Sequence, residues 1–191
     1  MRKFLRKKNK AFTLVETLVA ISIFSVSILG LLSILASGIA NTSYAKQKMT
    51  ASYLAQEGVE YIRNMRDTFV LYDATDAQTG WNSFKSKLSS AGCQANNGCY
   101  FDNQNLNYSN PSQPMAGIIL TACGASCPDL SYDSTTGKYG YAIGVDSGFT
   151  RRIQMTSMSS DEIKVSSTVS WTQPSGSFNI TFSEDLFNWV E

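Results

Sequence analysis

The sequence predicts an α+β fold in which a long N-terminal helix packs on a C-terminal antiparallel β-sheet. Three observations carry this prediction. Residues 17–45 contain no charged side chain, and this length exceeds the roughly 20 residues that a helix needs to cross a bilayer. Residues 51–65 then show apolar side chains at helical spacing, and residues 163–171 alternate apolar and polar side chains at strand spacing. The helix and the sheet each have one apolar face, so each is the natural cover for the other.

The first ten residues form a basic leader that contains six of the sixteen basic residues of the chain. The formal net charge of +1 therefore hides an acidic remainder, in which ten basic residues stand against fifteen acidic ones. Basic residues that precede a membrane helix stay on the cytoplasmic side. We therefore expect a single-pass inner-membrane protein whose C-terminal part lies outside, and we expect no nucleic-acid partner because the exported part is acidic.

The apolar segment predicts a membrane helix that remains in the protein. Cleaved secretory signals have apolar regions of only about 7 to 15 residues that end in small residues, which fits this sequence poorly. No proline occurs before Pro111, so one helix can continue to about residue 66. A break near residues 38–43, separating an anchor from a core helix, is the alternative that the sequence leaves open. The apolar face of the second part contains Ala51, Leu54, Ala55, Gly58, Tyr61, Ile62 and Met65.

The C-terminal part is predicted to contain about four antiparallel strands. After residue 67 the composition shifts to Gly, Ser, Asn and Asp with scattered aromatic residues, and residues 91–114 are expected to form a loop region. Strand candidates are residues 117–122, 139–145 and 149–156, and a hairpin with its turn at residues 174–176 follows. One face of the hairpin is expected to carry Ile163, Val165, Ser167, Val169 and Trp171, and the pattern repeats at Phe178, Ile180 and Phe182.

All four cysteines, Cys93, Cys99, Cys123 and Cys127, follow the membrane segment. Disulfides form and persist on that side, so we expect two bridges, and the sequence leaves the three connectivities open. Pairing of near neighbours closes two short loops, each stabilising the fold by about 2 kcal/mol. The cysteine spacing and the lack of histidine argue against zinc, so we expect no metal and no cofactor. A weaker alternative is a calcium site built from Asp129, Asp133 and Asp146.

Glu16 is the one acid in the apolar segment, which begins at Phe12. A charged side chain within a membrane helix costs about 3 kcal/mol, and such residues generally serve a function with a specific partner. An acid whose side chain simply reaches the membrane surface is the alternative. Glu16 is therefore the candidate functional residue.

The sequence KAFTLVETLVAISIF resembles the cleavage and methylation motif of type IV prepilins and type II secretion pseudopilins. It combines a basic leader, a small residue, a phenylalanine and a glutamate at the start of an apolar helix. The resemblance implies that prepilin peptidase cuts between Ala11 and Phe12, that the new amine of Phe12 is N-methylated, and that Glu16 occupies the glutamate position of the family. Ala11 replaces the glycine that usually precedes the cut. The implied partners are prepilin peptidase, other pilin or pseudopilin subunits, and membrane lipid before assembly.

Charge chemistry agrees with that implication. An α-amine is mostly protonated near neutral pH, so cleavage would create a positive charge about one helical turn from Glu16. A neighbouring helix, offset along a filament, can place its Phe12 amine against this Glu16. The sequence thus predicts a structural subunit that assembles through its N-terminal helix.

Two further questions concern subtype and rival functions. Two further segments resemble minor pilins of type IV pilus assembly, including pilus modification proteins. They are YLAQEGVEYIRNMRD and the ending DEIKVSSTVSW…ITFSEDLFNWV, and Arg151-Arg152 belongs to the same pattern. We interpret this pair as a solvated strand face. No catalytic motif is present, so we expect no enzyme. A non-polymerising single-span membrane protein with an external binding domain is the alternative, and a pilus and a secretion pseudopilus are not distinguished.

The predicted organisation has four parts. They are a leader at residues 1–11, a membrane and assembly helix at 12–40, an amphipathic continuation at 41–66, and an exported disulfide-containing domain at 67–191.

Overall fold

The computed structural model describes residues 13–73, 75–102 and 119–188. These residues form two helices and seven strands, and the chain divides into two compact units, Met1–Ala45 and Lys46–Glu191. The elements are α1 (Leu14–Tyr72), α2 (Ala77–Ser90), β1 (Cys99–Phe101), β2 (Leu120–Ala122), β3 (Asp129–Asp133), β4 (Lys138–Gly140), β5 (Val145–Ser157), β6 (Glu162–Gln173) and β7 (Gly176–Phe187). α1 continues without a break through residues 38–43. The predicted α+β class is confirmed.

The sheet is antiparallel throughout the described residues, and β5 lies at its centre. β6 and then β7 follow on one side of β5; on the other side, β3 pairs with the first part of β5 and β1 with a later part. β4 lies beyond β3, and β2 lies beyond β1. The predicted hairpin is confirmed: β6 and β7 pair from Glu162 opposite Phe187 to Gln173 opposite Gly176. The sheet is larger than the four or so strands that the sequence predicted.

The second part of α1 packs on this sheet within the unit Lys46–Glu191. All seven positions predicted for its apolar face are buried, together with Val59. The approach is closest at Gly58, where an added Cβ would lie 2.3 Å from the Ser167 hydroxyl oxygen on β6. Tyr61 stacks on the Phe101 ring of β1 with centroids 3.9 Å apart. The 3.6-residue periodicity therefore predicted the buried face of the helix correctly.

Strand β6 supplies the opposing surface. All five residues predicted to share one face are buried, and Ser167 is the polar member that lies under Gly58. Trp171 is buried between the rings of Phe149 and Phe178, at centroid distances of 6.2 and 5.8 Å. Alternation along the strand thus predicted its core face.

Helix α2, which follows the change in composition after residue 67, was not predicted. Asp76 caps the helix by accepting a hydrogen bond from the backbone N–H of Thr79 at 2.8 Å, and this bond lowers the pKa of the Asp76 carboxyl. Trp81, Phe84 and Leu88 form its buried stripe. The serine-rich exposed positions obscured this stripe in the sequence, although Asp76 is a typical N-cap residue.

The other strand predictions need smaller corrections. β1 lies inside the expected loop at residues 91–114. Of the candidate at residues 117–122, residues 117–118 are outside the described residues, Ile119 is not in a strand, and β2 covers the last three residues. β4 ends at Gly140, and the last residue of the candidate at 139–145 belongs to β5 instead. Between them, Gly144 has φ +125° and passes so close to Tyr132 that a Cβ would lie 2.5 Å from its carbonyl oxygen. β5 contains the candidate at residues 149–156 and extends beyond it on both sides.

Candidate assembly site in the N-terminal helix

Helix α1 begins with a reciprocal pair of hydrogen bonds between Thr13 and Glu16. The backbone N–H of Glu16 donates to the Thr13 hydroxyl oxygen at 3.3 Å, and the backbone N–H of Thr13 donates to Oε2 of Glu16 at 3.4 Å. This is the capping-box arrangement, in which a Thr at the helix start and a Glu three residues later satisfy each other's N–H groups. The Thr-x-x-Glu spacing that indicates a capping box is present in the sequence, but this contact was not predicted.

The capping box holds the Glu16 carboxylate at the first turn of the helix. A negative charge is favourable there because the first N–H groups of a helix lack partners and carry partial positive charge. Within the described residues, the hydrogen bonds of this carboxylate come from Thr13, by its backbone N–H and its hydroxyl at 3.4 and 3.5 Å. The predicted processing residues Ala11 and Phe12 lie outside the described residues.

The surface of the helix beyond Glu16 is apolar. Large hydrophobic side chains from Leu14 to Ile39 are exposed within the unit Met1–Ala45. Four serines of this surface, Ser22, Ser25, Ser27 and Ser37, donate their hydroxyls to carbonyl oxygens one turn earlier in the same helix. The bonds run from Ser22 to Leu18, from Ser25 to Ile21 and from Ser27 to Ile23, each at 2.8 Å.

This part of the chain has the composition of a membrane helix. Among the described residues, α1 is the helix that is long and apolar enough to cross a bilayer, with a mean hydropathy of 2.6 over its most apolar window. Gly30 and Gly38 lie on it with open space where a Cβ would be. Small residues of this kind permit close approach of a second helix in lipid.

Arg151 contradicts the interpretation of Arg151-Arg152 as a solvated strand face. Its side chain is 1 % exposed, and its guanidinium lies 4.4 Å from the centre of the Phe101 ring. Nη1 donates to Oε2 of Glu57 on α1 at 2.8 Å. Arg152 points to the opposite face and is half-buried. Arg151 is therefore an ionic link between the helix and the sheet. The two arginines were wrongly predicted to share one solvated face, whereas neighbouring residues of a strand lie on opposite faces.

The four cysteines form two disulfides, Cys93–Cys99 and Cys123–Cys127. The first joins the segment after α2 to β1, and both of its cysteines are fully buried. The second follows β2, which pairs with β1 through Cys99 opposite Ala122. Both bridges therefore stabilise the same corner of the sheet.

The three aspartates considered as calcium ligands serve separate local contacts. Asp133 accepts hydrogen bonds from the Thr135 N–H and the Thr136 hydroxyl, Asp146 accepts one from the Gly148 N–H, and Asp129 accepts one from the hydroxyl of Thr150. No group of three His, Cys, Asp or Glu side chains within the described ranges converges in a way that could hold a metal ion.

The capping box and the first part of the apolar helix surface lie within a known signature. Residues 6–32 match the prokaryotic N-terminal methylation motif. This motif is of the prepilin type and supports a type IV pilin-like protein. No curated protein and no solved structure matches the chain. The motif implies processing by prepilin peptidase and assembly with other pilin subunits, and together with α1 it fits a pilin anchored in the inner membrane. A structural pilin is usually not an enzyme.

Proposed function

We propose that the chain is a minor pilin or pseudopilin that assembles into a type IV pilus or a related filament. Prepilin peptidase cuts between Ala11 and Phe12, and the amine of Phe12 is methylated. Glu16 then pairs with the Phe12 amine of a neighbouring subunit, and the N-terminal helices pack together in the filament. The domain that contains the disulfides lies outside the membrane and forms the filament surface.

The observation that carries this proposal is a carboxylate at the first turn of a helix whose surface is otherwise apolar. In hydrocarbon, an anion needs a cation or several hydrogen-bond donors. Thr13 supplies neutral donors at distances of 3.4 and 3.5 Å, which are long for hydrogen bonds to a charged group. The capping box positions the charge but leaves it without a compensating cation among the described residues, and an amine freed by cleavage supplies one.

A neighbouring subunit is the better source of that amine than the chain itself. The Thr13 N–H already points at the Glu16 carboxylate, and Phe12 directly precedes Thr13 in the sequence. Both hydrogen bonds from Thr13 end on Oε2, which leaves Oε1 of the carboxylate for a cation on a second helix that is offset along the filament. The methylation motif supports the same arrangement, because it contains both residues of the pair.

The assignment as a minor subunit rests on the sequence. The segment at residues 53–67 resembles minor pilins, and the membrane helix lacks the proline that many major pilins carry. The position of the domain outside the membrane is supported by the basic leader and by the two disulfides, which favour an oxidising compartment.

The test compares Glu16→Ala with Glu16→Gln in cells that express the remaining filament components. Glutamine preserves the capping box but removes the charge. We expect both variants to insert into the membrane and to enter sheared filaments about tenfold less than the wild type, because a charge-assisted contact contributes about 1.5–3 kcal/mol. Immunoblots of filament and membrane fractions measure the ratio.

Two readouts separate assembly from processing and from capping. Mass spectrometry of the membrane-bound protein shows whether each variant begins at Phe12. Wild-type incorporation of Glu16→Gln, with loss only in Glu16→Ala, would assign Glu16 to helix capping and exclude the charge pair. A mature wild-type protein that still begins at Met1 would favour the alternative, a single-span membrane protein that does not polymerise.

A further inference from the structure

A groove of about 810 Å³ lies within the unit Lys46–Glu191, between the first turns of α1 in that unit and the β3–β4 hairpin. Its volume is within the range of pockets that hold a small ligand. Three tyrosines line it: Tyr53 on α1, Tyr132 on β3 and Tyr139 on β4. We call it the tyrosine groove. It is separate from the apolar helix surface that the proposed function uses.

Two opposite charges in the tyrosine groove have no charged partner in the part of the chain that the structure describes. The ammonium of Lys46 on α1 and the carboxylate of Asp146 on β5 both line the groove, yet they form no ion pair with each other or with another described residue. Oδ1 of Asp146 accepts a hydrogen bond from the Gly148 N–H at 2.8 Å. Glu57 also lines the groove, but Arg151 compensates its charge at 2.8 Å. A ligand that carries both an anion and a cation therefore matches the two remaining charges.

The tyrosine rings offer a surface for an organic cation. Tyr132 and Tyr139 lie 5.0 Å apart between ring centres, and Tyr139 meets the edge of the Phe149 ring at 6.2 Å, so packing holds both rings in place. Tyr53 and Tyr132 remain 66 % and 40 % exposed. The face of such a ring attracts an ammonium group within about 6 Å of its centre, and the hydroxyl can donate to an anionic oxygen.

The groove begins at the level of the membrane surface. Lys46 is the first charged residue after the uncharged stretch at residues 17–45. The continuous helix α1 rises by about 1.5 Å per residue, or about 45 Å between residues 14 and 45, and a bilayer with its headgroups is about 40–45 Å thick. Lys46 therefore lies among the headgroups when α1 spans the membrane. Tyrosine is enriched at this level, and Tyr53 follows about two helical turns later.

We propose that the tyrosine groove binds the headgroup of a phospholipid with a phosphate and a primary ammonium, taken from the bilayer that surrounds α1 before assembly. The phosphate contacts Lys46, and the ammonium lies over the tyrosine rings and donates to Asp146. A primary ammonium fits better than a trimethylated one, because only the primary ammonium has N–H groups to donate to a carboxylate. The proposal deepens the proposed function by naming the lipid partner of the unassembled subunit, and it rests on that function only in that α1 spans a membrane.

The experiment titrates dihexanoyl phosphatidylethanolamine, a short-chain lipid, into the full-length protein in micelles of a non-ionic detergent, followed by calorimetry. A titration into protein-free micelles is subtracted. We expect saturable binding that Asp146→Asn and Lys46→Gln each weaken about tenfold, since each removes one charge-assisted contact. Asparagine keeps the oxygen that accepts from the Gly148 N–H, so the local turn is preserved. Asp185→Asn and Lys48→Gln are the matched controls, since both replace exposed charges outside the groove.

A second pair of variants tests the ring surface. Tyr53→Ala should weaken binding several-fold, because it removes one ring face from the ammonium. Tyr72→Ala should leave binding unchanged, because Tyr72 is also exposed on α1 but lies outside the groove. Thermal unfolding of each variant shows that a loss of binding is not a loss of folding.

Three lipids test the choice of headgroup. The phosphatidylcholine and phosphatidylglycerol forms should bind about tenfold more weakly, because neither has a primary ammonium. Equal affinity for all three lipids, or wild-type affinity in both Asp146→Asn and Lys46→Gln, would overturn the proposal. Equally tight binding of soluble phosphoethanolamine would overturn the bilayer as the source of the ligand. The titration does not depend on filament entry, so wild-type incorporation of Glu16→Gln would refute the charge pair of the proposed function and leave this proposal standing.

Discussion

The two parts of α1 belong to one continuous helix, but the apolar side chains are exposed in the first part and buried in the second. In residues 14–45, Glu16 is the only charge, the serine hydroxyls of Ser22, Ser25 and Ser27 bond to their own helix, and the large apolar side chains are exposed. In residues 46–72, eight residues are buried on one face, and the charged residues lie outside that buried set.

The second part of α1 also forms ion pairs with the sheet. Arg63 bonds to Glu184 on β7 through two N–H groups at 3.0 and 2.5 Å, and Glu57 pairs with Arg151. The first part keeps its hydrogen bonds local, as a helix in lipid or in a helix bundle must. The comparison teaches that helix formation is common to both parts, whereas the distribution of polar groups determines whether the helix packs on its own domain or on something outside the chain.

The largest expected difference between the two parts concerns their glycines. Gly58→Leu should destabilise the domain formed by Lys46–Glu191 by about 3 kcal/mol or more, because a Cβ at this position already meets the buried Ser167 hydroxyl at 2.3 Å. Gly38→Leu should change its stability by less than about 0.5 kcal/mol, because nothing lies within 4 Å of its Cβ position in the isolated chain. Denaturant unfolding of the full-length protein in micelles measures both. Equal effects at the two glycines would break the comparison.

A medium effect is expected from the ionic link that only the second part of α1 makes with β5. Arg151→Met should cost about 2 kcal/mol, since it removes a buried guanidinium from Glu57; the half-exposed Glu57 can regain water, which keeps the cost below that of a fully buried pair. Arg152→Met, the matched control on the opposite face, should stay within about 0.5 kcal/mol. Thermal unfolding at low and moderate salt gives the difference. A cost at Arg152 as large as at Arg151 would show that the link to α1 contributes nothing particular.

The smallest effect is expected from the serines of the first part. Ser25→Ala removes a hydroxyl that bonds only to its own helix in the described structure, so membrane insertion and helix content should change by less than about 0.5 kcal/mol. Circular dichroism in micelles and membrane fractionation are the measurements. A marked loss of filament incorporation by a normally inserted Ser25→Ala protein would mean that this hydroxyl reaches a neighbouring helix instead.

Periodicity predicted the parts of the fold in which burial depends on one repeating pattern. The buried face of α1 and the core face of β6 agree with the prediction residue by residue. The same alternation would have placed Arg151 on the buried face with Phe149 and Ile153, and the prediction failed because charge was given more weight than register. A charged side chain is buried only where a partner compensates its charge. The partner of Arg151 is Glu57, which is distant in the sequence, so local periodicity did not reveal the pair.

Helix α2 and the short strands could not be predicted in the same way. The buried stripe of α2 has only a few large residues among serines, and its stability depends on contacts with distant elements; Trp81 donates its indole N–H to the Ser160 carbonyl at 2.9 Å. β1 has three residues, too few for a periodic signal. For the assembly site, the sequence identified Glu16 but not its capping contact with Thr13, and the cut between Ala11 and Phe12 stays a prediction.

The pairing of β1 with β2 has a consequence for how this domain can change. Phe101 lies opposite Leu120, so the chain leaves the sheet and returns to it at neighbouring points, and a disulfide lies close to each of them. Doubling the length of the chain between such fixed ends costs only about 0.6 kcal/mol in loop closure. We therefore expect that a change in the number of residues between Phe101 and Leu120 costs little, provided that the pairing of β1 with β2 and the two disulfides are kept.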